Sequence, residues 1–333
     1  MAIMQWRKKL SAVGCITAVL AAALSTPASS LAAARPPAAA SPASHQLQTW
    51  SGYIQSTDGV RLWVQSVGGG APGAKVIVLV HGGPALSLTY LNIFDLLASP
   101  TRQIVSYDQR GSGLSSSPAG NDYGLAAQLS DLGAVRRWTG AQRLTIVGHS
   151  WGGYLAAAYT ALHPSRVAAL ALLDALPLNW AVFNAGGARF EKRISALQSE
   201  GLIPNPLPPP VNNSCLAEYK ALTPAYLANP RLPVNRSAVW GSSCTESTQL
   251  SDDAAFSAER GELPGLAAAV GRWHGRALVL QGAEDPFGLQ WSRTSVAELR
   301  SAPTQRVVVP GAGHFPWIEQ TGLVLQTLRL FIR

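Results

Sequence analysis

A serine becomes a nucleophile when a base takes its proton, and the base works when an acid holds its tautomer and balances its charge. Ser150 is placed for that chemistry. It lies in Gly148-His149-Ser150-Trp151-Gly152, after an apolar, partly β-branched run that ends at Val147 and before a small-residue helix pattern that begins at Gly153. Strand, sharp turn and helix in so few residues put the serine in a strained conformation with Oγ projecting from the sheet. Glycine fits at 148 and 152 because a side chain there would meet the neighbouring strand and helix. His314, in Gly311-Ala312-Gly313-His314, follows one late strand pattern, and Asp285, in Gly282-Ala283-Glu284-Asp285-Pro286, follows another. Ser150, Asp285 and His314 therefore read as nucleophile, orienting acid and base of an acyl transfer. Such a reaction needs two backbone donors for the developing oxyanion. The expected pair is the N–H of Trp151 and that of Gly83, in His81-Gly82-Gly83-Pro84. Each such donor is typically worth about 3 to 4 kcal/mol in the transition state.

Other residues compete for these roles. Asp174, at the end of its own strand pattern, is the second choice for the acid, and Glu284 a weaker rival beside Asp285. His149 is expected to pack and to point away from the chemistry. His81 is expected to shape its loop through side-chain hydrogen bonds. His45, His163 and His274 have no motif around them.

The elements that must carry these residues alternate. Tyr53–Gln55 and Arg61–Val67 flank Asp58-Gly59 and read as an antiparallel hairpin. Lys75–Val80, Gln103–Tyr107, the strand before Ser150, Val167–Leu173, Ala277–Gln281 and Arg306–Val309 read as strands, most of them apolar enough to be buried on both faces. Helix patterns occur at Ala85–Leu97, Ala126–Trp138, after Ser150 and at Trp317–Ile332. Strand alternating with helix specifies a mostly parallel α/β sheet with right-handed crossovers. Residues 176–272 break the pattern: prolines are dense at Pro204, Pro206, Pro208, Pro209 and Pro210, and no strand-like run occurs. That stretch is expected to be a helical cap inserted over the catalytic edge, between core segments 51–175 and 273–333.

Met1–Lys9 is basic, Leu10–Leu24 apolar, and small residues follow, with cleavage expected after Ala28, Ala32 or Ala34. This is the pattern of a secretory signal over residues 1–34, too short in its apolar run for a membrane span. Cys15 precedes most of that run, which excludes lipidation there. Residues 35–50, rich in Ala, Pro and Ser, are expected to be a flexible leader. Removing Arg7, Lys8 and Lys9 with the signal lowers the formal charge of +8 to about +5, without a basic run. No nucleic-acid motif accompanies that charge, so it fits solubility or an anionic cell envelope. Cys215 and Cys244, the two cysteines outside the signal, are expected to form a disulfide within the cap of a secreted or periplasmic protein.

On these residues the chain resembles the α/β-hydrolase superfamily and, within it, the proline iminopeptidase-like serine peptidases. The resemblance rests on His81-Gly82-Gly83-Pro84, Asp108-Gln109-Arg110-Gly111-Ser112-Gly113, Gly148–Gly153, and the chain order Ser150, Asp285, His314. It covers residues 53–333, the cap least. It implies an α/β-hydrolase fold with an inserted cap, and release of an N-terminal residue, often proline, with cap carboxylates binding the free amine. The cap departs from that pattern in having no Trp-x-x-Trp-Glu segment, and Glu191, Glu200 and Glu218 read as solvated charges. An esterase with a cap-covered pocket would use the same machinery, and a ligand-binding protein on a hydrolase scaffold would be marked by a lost member of the set. Epoxide hydrolases and dehalogenases carry Asp at the position of Ser150. No cofactor and no metal is implied, nor a membrane anchor once the signal is removed. The expected partner is a small molecule or short peptide.

Overall fold

The computed structural model describes residues 47–333. The signal and all but the last residues of the expected leader lie outside them. Eight strands form one sheet: β1 (Thr49–Gln55), β2 (Arg61–Gly68), β3 (Lys75–Val80), β4 (Arg102–Tyr107), β5 (Leu144–His149), β6 (Val167–Leu173), β7 (Arg276–Gly282) and β8 (Thr304–Val309), in the order β1-β2-β4-β3-β5-β6-β7-β8. β1 and β2 are antiparallel to each other, β2 is antiparallel to β4, and every other pairing is parallel. The hairpin turns at Gly59, whose φ of +89° suits glycine. β1 begins four residues earlier than the sequence suggests. Trp50 lies inside it and packs 4.6 Å from Trp138, so the sheet reaches into the expected leader.

The chain leaves β3 outward to β4 and returns on the other side as β5. The strand order therefore reverses between β3 and β5, opening a crevice at their carboxyl ends. The Ser150 turn and the His81–Pro84 loop leave those two neighbouring strands side by side, with Val80 paired to Gly148. Asp174 follows β6, Asp285 follows β7 and His314 follows β8, all at the same edge.

Flanking the sheet are α1 (Leu125–Thr139) and α2 (Trp151–Leu162). Between β6 and β7 come α3 (Trp180–Ser199), α4 (Leu216–Tyr226), α5 (Arg236–Trp240), α6 (Glu246–Glu259) and α7 (Leu263–Val270), and no named strand. A disulfide joins Cys215, at the start of α4, to Cys244, with Cα atoms 5.3 Å apart. Cys244 also bridges to Leu86, and Thr245 N–H donates to Ala85 O at 3.2 Å, tying this helical segment to the loop after β3.

Two expected helices differ. Instead of an α-helix over 85–97, a 3-10 helix spans Leu88–Leu97. Ala85 has a positive φ and is bonded to Thr245, which holds it out of the helix, and Asp108 Oδ1 receives Leu88 N–H at 2.7 Å. After α8 (Gln290–Glu298), the expected closing helix is broken at Gln320 into α9 (Pro316–Glu319) and α10 (Thr321–Phe331). Glu319 is drawn away to cap the N–H groups of Gly313, Ala228 and Asn229.

Candidate functional site

Ser150 closes β5 and opens α2 with φ +52° and ψ −120°. A non-glycine residue there stores roughly 1 to 3 kcal/mol of strain, so its surroundings must hold it. Its N–H donates to Leu173 O at 3.0 Å, and its carbonyl accepts from Gly153 N–H at 2.9 Å and Leu176 N–H at 3.2 Å. A Cβ on Gly152 would overlap the carbonyl oxygens of Val80 and His81, and one on Gly148 would overlap that of Gly152. Both glycines are required by close approach.

The loop after β3 lies against this turn. A Cβ built on Gly82 would come 3.0 Å from Cβ of Ser150. Buried His81 donates from Nδ1 to Gly82 O at 2.8 Å and accepts Gln109 N–H at Nε2, at 3.0 Å. Burial keeps it neutral, with its pKa down to about 4. The Gln109 amide donates to His81 O at 2.6 Å and accepts the indole N–H of Trp151 at 3.1 Å, locking loop and turn together. The backbone N–H groups of Gly83 and Trp151 take no part in the hydrogen bonds that hold these segments. Gly83 has a φ of +133°.

The Nδ1–H of His314 is shared between the two carboxylate oxygens of Asp285, at 3.3 Å each. That bond leaves Nε2 as the lone-pair nitrogen, the tautomer a base requires. Asp285 also accepts Phe287 N–H at 3.0 Å and the Gln281 side-chain amide at 2.8 Å. Burial alone would raise its pKa. The charge and hydrogen bond of His314, with the bond from Gln281, outweigh burial and hold it below the usual carboxylate value. His314 is set by its own N–H to Tyr226 O at 2.8 Å. Glu284 accepts Ala312 N–H at 3.1 Å and so braces the loop instead of the imidazole.

Asp174 shares this buried space. One ligand-capable atom from each of Asp174, Asp285 and His314 lies within 4.8 Å of the others. Asp174 accepts only Gly282 N–H, at 2.9 Å, and its Oδ2 has no partner among the described residues. Burial first, and the neighbouring Asp285 second, push its pKa well up. A divalent cation needs ionised carboxylates, so this set suits a shared proton better than a metal.

A profile of the alpha/beta hydrolase fold matches residues 75–321. The chain belongs to that family. Among curated relatives, epoxide hydrolase A of Mycobacterium tuberculosis is 39% identical over 127 residues, 37% of this chain and 39% of that protein. Proline iminopeptidase of Clostridium botulinum is 32% identical over 105 residues, 31% of this chain and 36% of that protein. The chain thus aligns with little more than a third of these relatives' length. Among solved structures, a membrane phospholipase A described as a bacterial virulence factor superposes with a TM-score of 0.60 at 21% identity, covering 86% of each chain. Proline iminopeptidase of Mycobacterium smegmatis superposes with a TM-score of 0.60 at 19% identity, covering 85% of this chain and 97% of that one.

Several residues of this α/β hydrolase's site are not legible as such in its sequence. His149 is not a mere packing residue: both ring nitrogens are hydrogen-bonded, Nδ1 to the Tyr90 hydroxyl at 2.8 Å and Nε2 to His314 O at 3.0 Å. Burial, then the nearby His314 ring, depresses its pKa well below the usual imidazole value. Gln281 aims Asp285 while its own carbonyl accepts Ser292 N–H at 3.1 Å. An aromatic wall also surrounds the turn: Phe256 of α6 packs 5.4 Å from Trp151, while Phe287 and Tyr226 lie 4.9 and 5.5 Å from His314. The aromatics are visible in the sequence, but their convergence depends on the fold of the segment between β6 and β7 and of the loop after β7. Glu200 pairs with Arg231 in solvent at 3.7 Å, as a solvated charge would.

Proposed function

We infer that this α/β hydrolase is a secreted or periplasmic serine hydrolase that cleaves a small amide or ester, with an aminopeptidase of the proline iminopeptidase type as the leading reading. The observation that carries it is the meeting of Ser150's strained turn, the His314–Asp285 hydrogen bond and the Gly82–Gly83 loop at one edge of the sheet. Ser150 Oγ attacks the carbonyl carbon as its proton passes to Nε2 of His314. The tetrahedral oxyanion takes the N–H groups of Gly83 and Trp151. His314 then protonates the departing amine or alcohol, leaving an acyl ester on Ser150. Water, deprotonated by the same nitrogen, releases the acid.

The identity of the nucleophile argues against epoxide opening. A carboxylate that opens an epoxide forms an ester that water can cleave; a serine would form an ether that it cannot. The aminopeptidase reading draws support from the proline iminopeptidases among the curated relatives and from the acidic residues Glu218 and Asp253 of the cap-like segment. The phenol of Tyr226, whose ring packs on His314, is raised by burial first and then by Glu218, Asp285 and Asp253. The N-terminal pattern and the disulfide support a location outside the cytoplasm.

The test compares a proline arylamide with a free amine, its N-blocked form and a short acyl aryl ester. Preference for the free amine, abolished by Ser150→Ala and weakened in KM by Glu218→Gln or Asp253→Asn, is the expected result. Turnover of the ester alone would make the protein an esterase. Turnover that survives Ser150→Ala would overturn the serine mechanism.

A further inference from the structure

We propose that Tyr90 and His149 are positioning residues that couple the oxyanion loop to the His314 loop through one directional chain of hydrogen bonds. The proposal rests on the serine hydrolase reading and goes beyond it. The chain runs from Gly82 N–H to the Tyr90 hydroxyl, from that hydroxyl to His149 Nδ1 at 2.8 Å, and from His149 Nε2 to His314 O at 3.0 Å. Its two ends fix its direction. A backbone N–H can only donate, and a backbone carbonyl can only accept. His149 must therefore carry its proton on Nε2 and present the Nδ1 lone pair to Tyr90, which accepts from Gly82 and donates onward. Every group is used once, and reversing any one bond would leave a donor facing a donor or a lone pair facing a lone pair.

The rings are held as well as bonded. His149 packs against Trp317 at 4.8 Å and against Phe315 and His314 at 5.0 Å each, and Tyr90 stacks on Trp317 at 6.1 Å. Both side chains are 2% exposed, so water cannot replace a lost bond without opening the core. The residues come from separate elements: the 3-10 helix after β3, the last position of β5, and the loop between β8 and α9. No covalent neighbour relation joins the oxyanion loop to the base. The chain sets Gly82, and with it the next peptide at Gly83, relative to the backbone that carries the imidazole.

Tyr90→Phe keeps the ring and removes the link, leaving Gly82 N–H and His149 Nδ1 unpaired in the core. His149→Leu keeps volume and removes both bonds. His149→Gln is the conservative variant, because its amide offers a carbonyl and an N–H at nearly the separation of the two ring nitrogens. The assay is labelling by a fluorophosphonate: Ser150 Oγ attacks phosphorus, fluoride leaves, and the serine proton goes to His314. This probe needs no knowledge of the substrate and resolves a maximal rate from an apparent affinity. A displaced oxyanion loop lowers the maximal labelling rate roughly ten- to a hundredfold in Tyr90→Phe and His149→Leu, with apparent affinity changed less than about twofold. His149→Gln stays within about threefold of wild type, and the double variant Tyr90→Phe/His149→Leu is no slower than the worse single. A role in stability alone would lower the urea midpoint of each variant and leave the folded fraction labelling at the wild-type rate. Tyr90→Phe labelling within twofold of wild type, or effects of the two substitutions that multiply, would overturn the proposal. Should His149→Leu not fold, Tyr90→Phe and His149→Gln decide it. Ser150→Ala run alongside separates the two readings: labelling equal to wild type would refute the serine mechanism, and the coupling with it.

Discussion

Asp285→Asn removes a buried charge from beside the candidate base while changing almost no volume. The carboxylate lies 3.3 Å from Nδ1 of His314. At an effective dielectric constant of about 20, a unit charge at that distance stabilises the imidazolium by about 5 kcal/mol. At about 1.4 kcal/mol per decade, that is nearly four decades of rate. The amide adds a second effect: its NH₂ can turn toward Nδ1, stabilising the tautomer whose Nε2 is protonated and cannot accept from Ser150. Asp174 opposes both. With its neighbour neutral, it can release the proton that Asp285 forces it to hold, and its charge would act from within 4.8 Å. The single variant is therefore expected to lose two to four decades in kcat on an aryl ester, with KM nearly unchanged, since neither acid is placed to touch substrate. Asp174→Asn/Asp285→Asn should lose about four. Steady-state kinetics on both variants, with circular dichroism to confirm folding, makes the comparison. A loss of less than tenfold in the double variant would refute the assignment of Asp285 as the orienting acid.

Other outcomes follow from single observations. The folded-state pKa of His81, about 4 against 6.5 unfolded, means the unfolded chain binds more protons between those values, so this group contributes stability that is lost as pH falls through that window. Between pH 7 and pH 5 the loss is about 2 kcal/mol, and urea midpoints of His81→Gln should show a pH slope flatter by that amount; an unchanged slope would sink the assignment. Breaking the Cys215–Cys244 bridge, which closes a separation of 29 residues, should cost about 3.5 kcal/mol, read as the shift in urea stability on reduction. Two titratable thiols in denatured, unreduced protein would rule the bridge out. A Cβ on Gly313 would overlap Tyr226 O and come 2.8 Å from Ala228 N. Gly313→Ala should therefore shift the His314 loop and lower kcat at least tenfold, and a fully active variant would contradict the packing described.

What was legible in the sequence is what the local backbone dictates. Ser150, the glycines around it and the loop at Gly82-Gly83 announce themselves because a strained turn and close backbone approaches admit few residue types at fixed spacing. Buried parallel strands were legible as apolar runs, and the ends of those runs located Asp285 and His314. Tyr90, His149 and Gln281 were not, because their roles depend on the partners they meet: Tyr90 meets His149 across 59 residues, and His149 meets His314 across 165. The early start of β1 is illegible for a related reason. Trp50 pairs with Ser66 in the hairpin and packs on Trp138, and no local pattern encodes either partner.

The choice between the two acids shows where sequence reasoning stops. Asp174 and Asp285 both follow strands, and β6 and β7 are neighbours, so position alone admits either. Two carboxylates in one buried space cannot both ionise, and the charge must settle on the better solvated one. Asp285 receives Phe287 N–H, the Gln281 amide and the imidazole N–H, whereas Asp174 receives only Gly282 N–H. Three donors against one decide the matter. Asp285 carries the charge that the proposed histidine base requires, and Asp174, whose φ is +44°, keeps the proton. The decision is made by Gln281 and Phe287, residues with no catalytic chemistry of their own, whose donors the loop after β7 aims at one carboxylate.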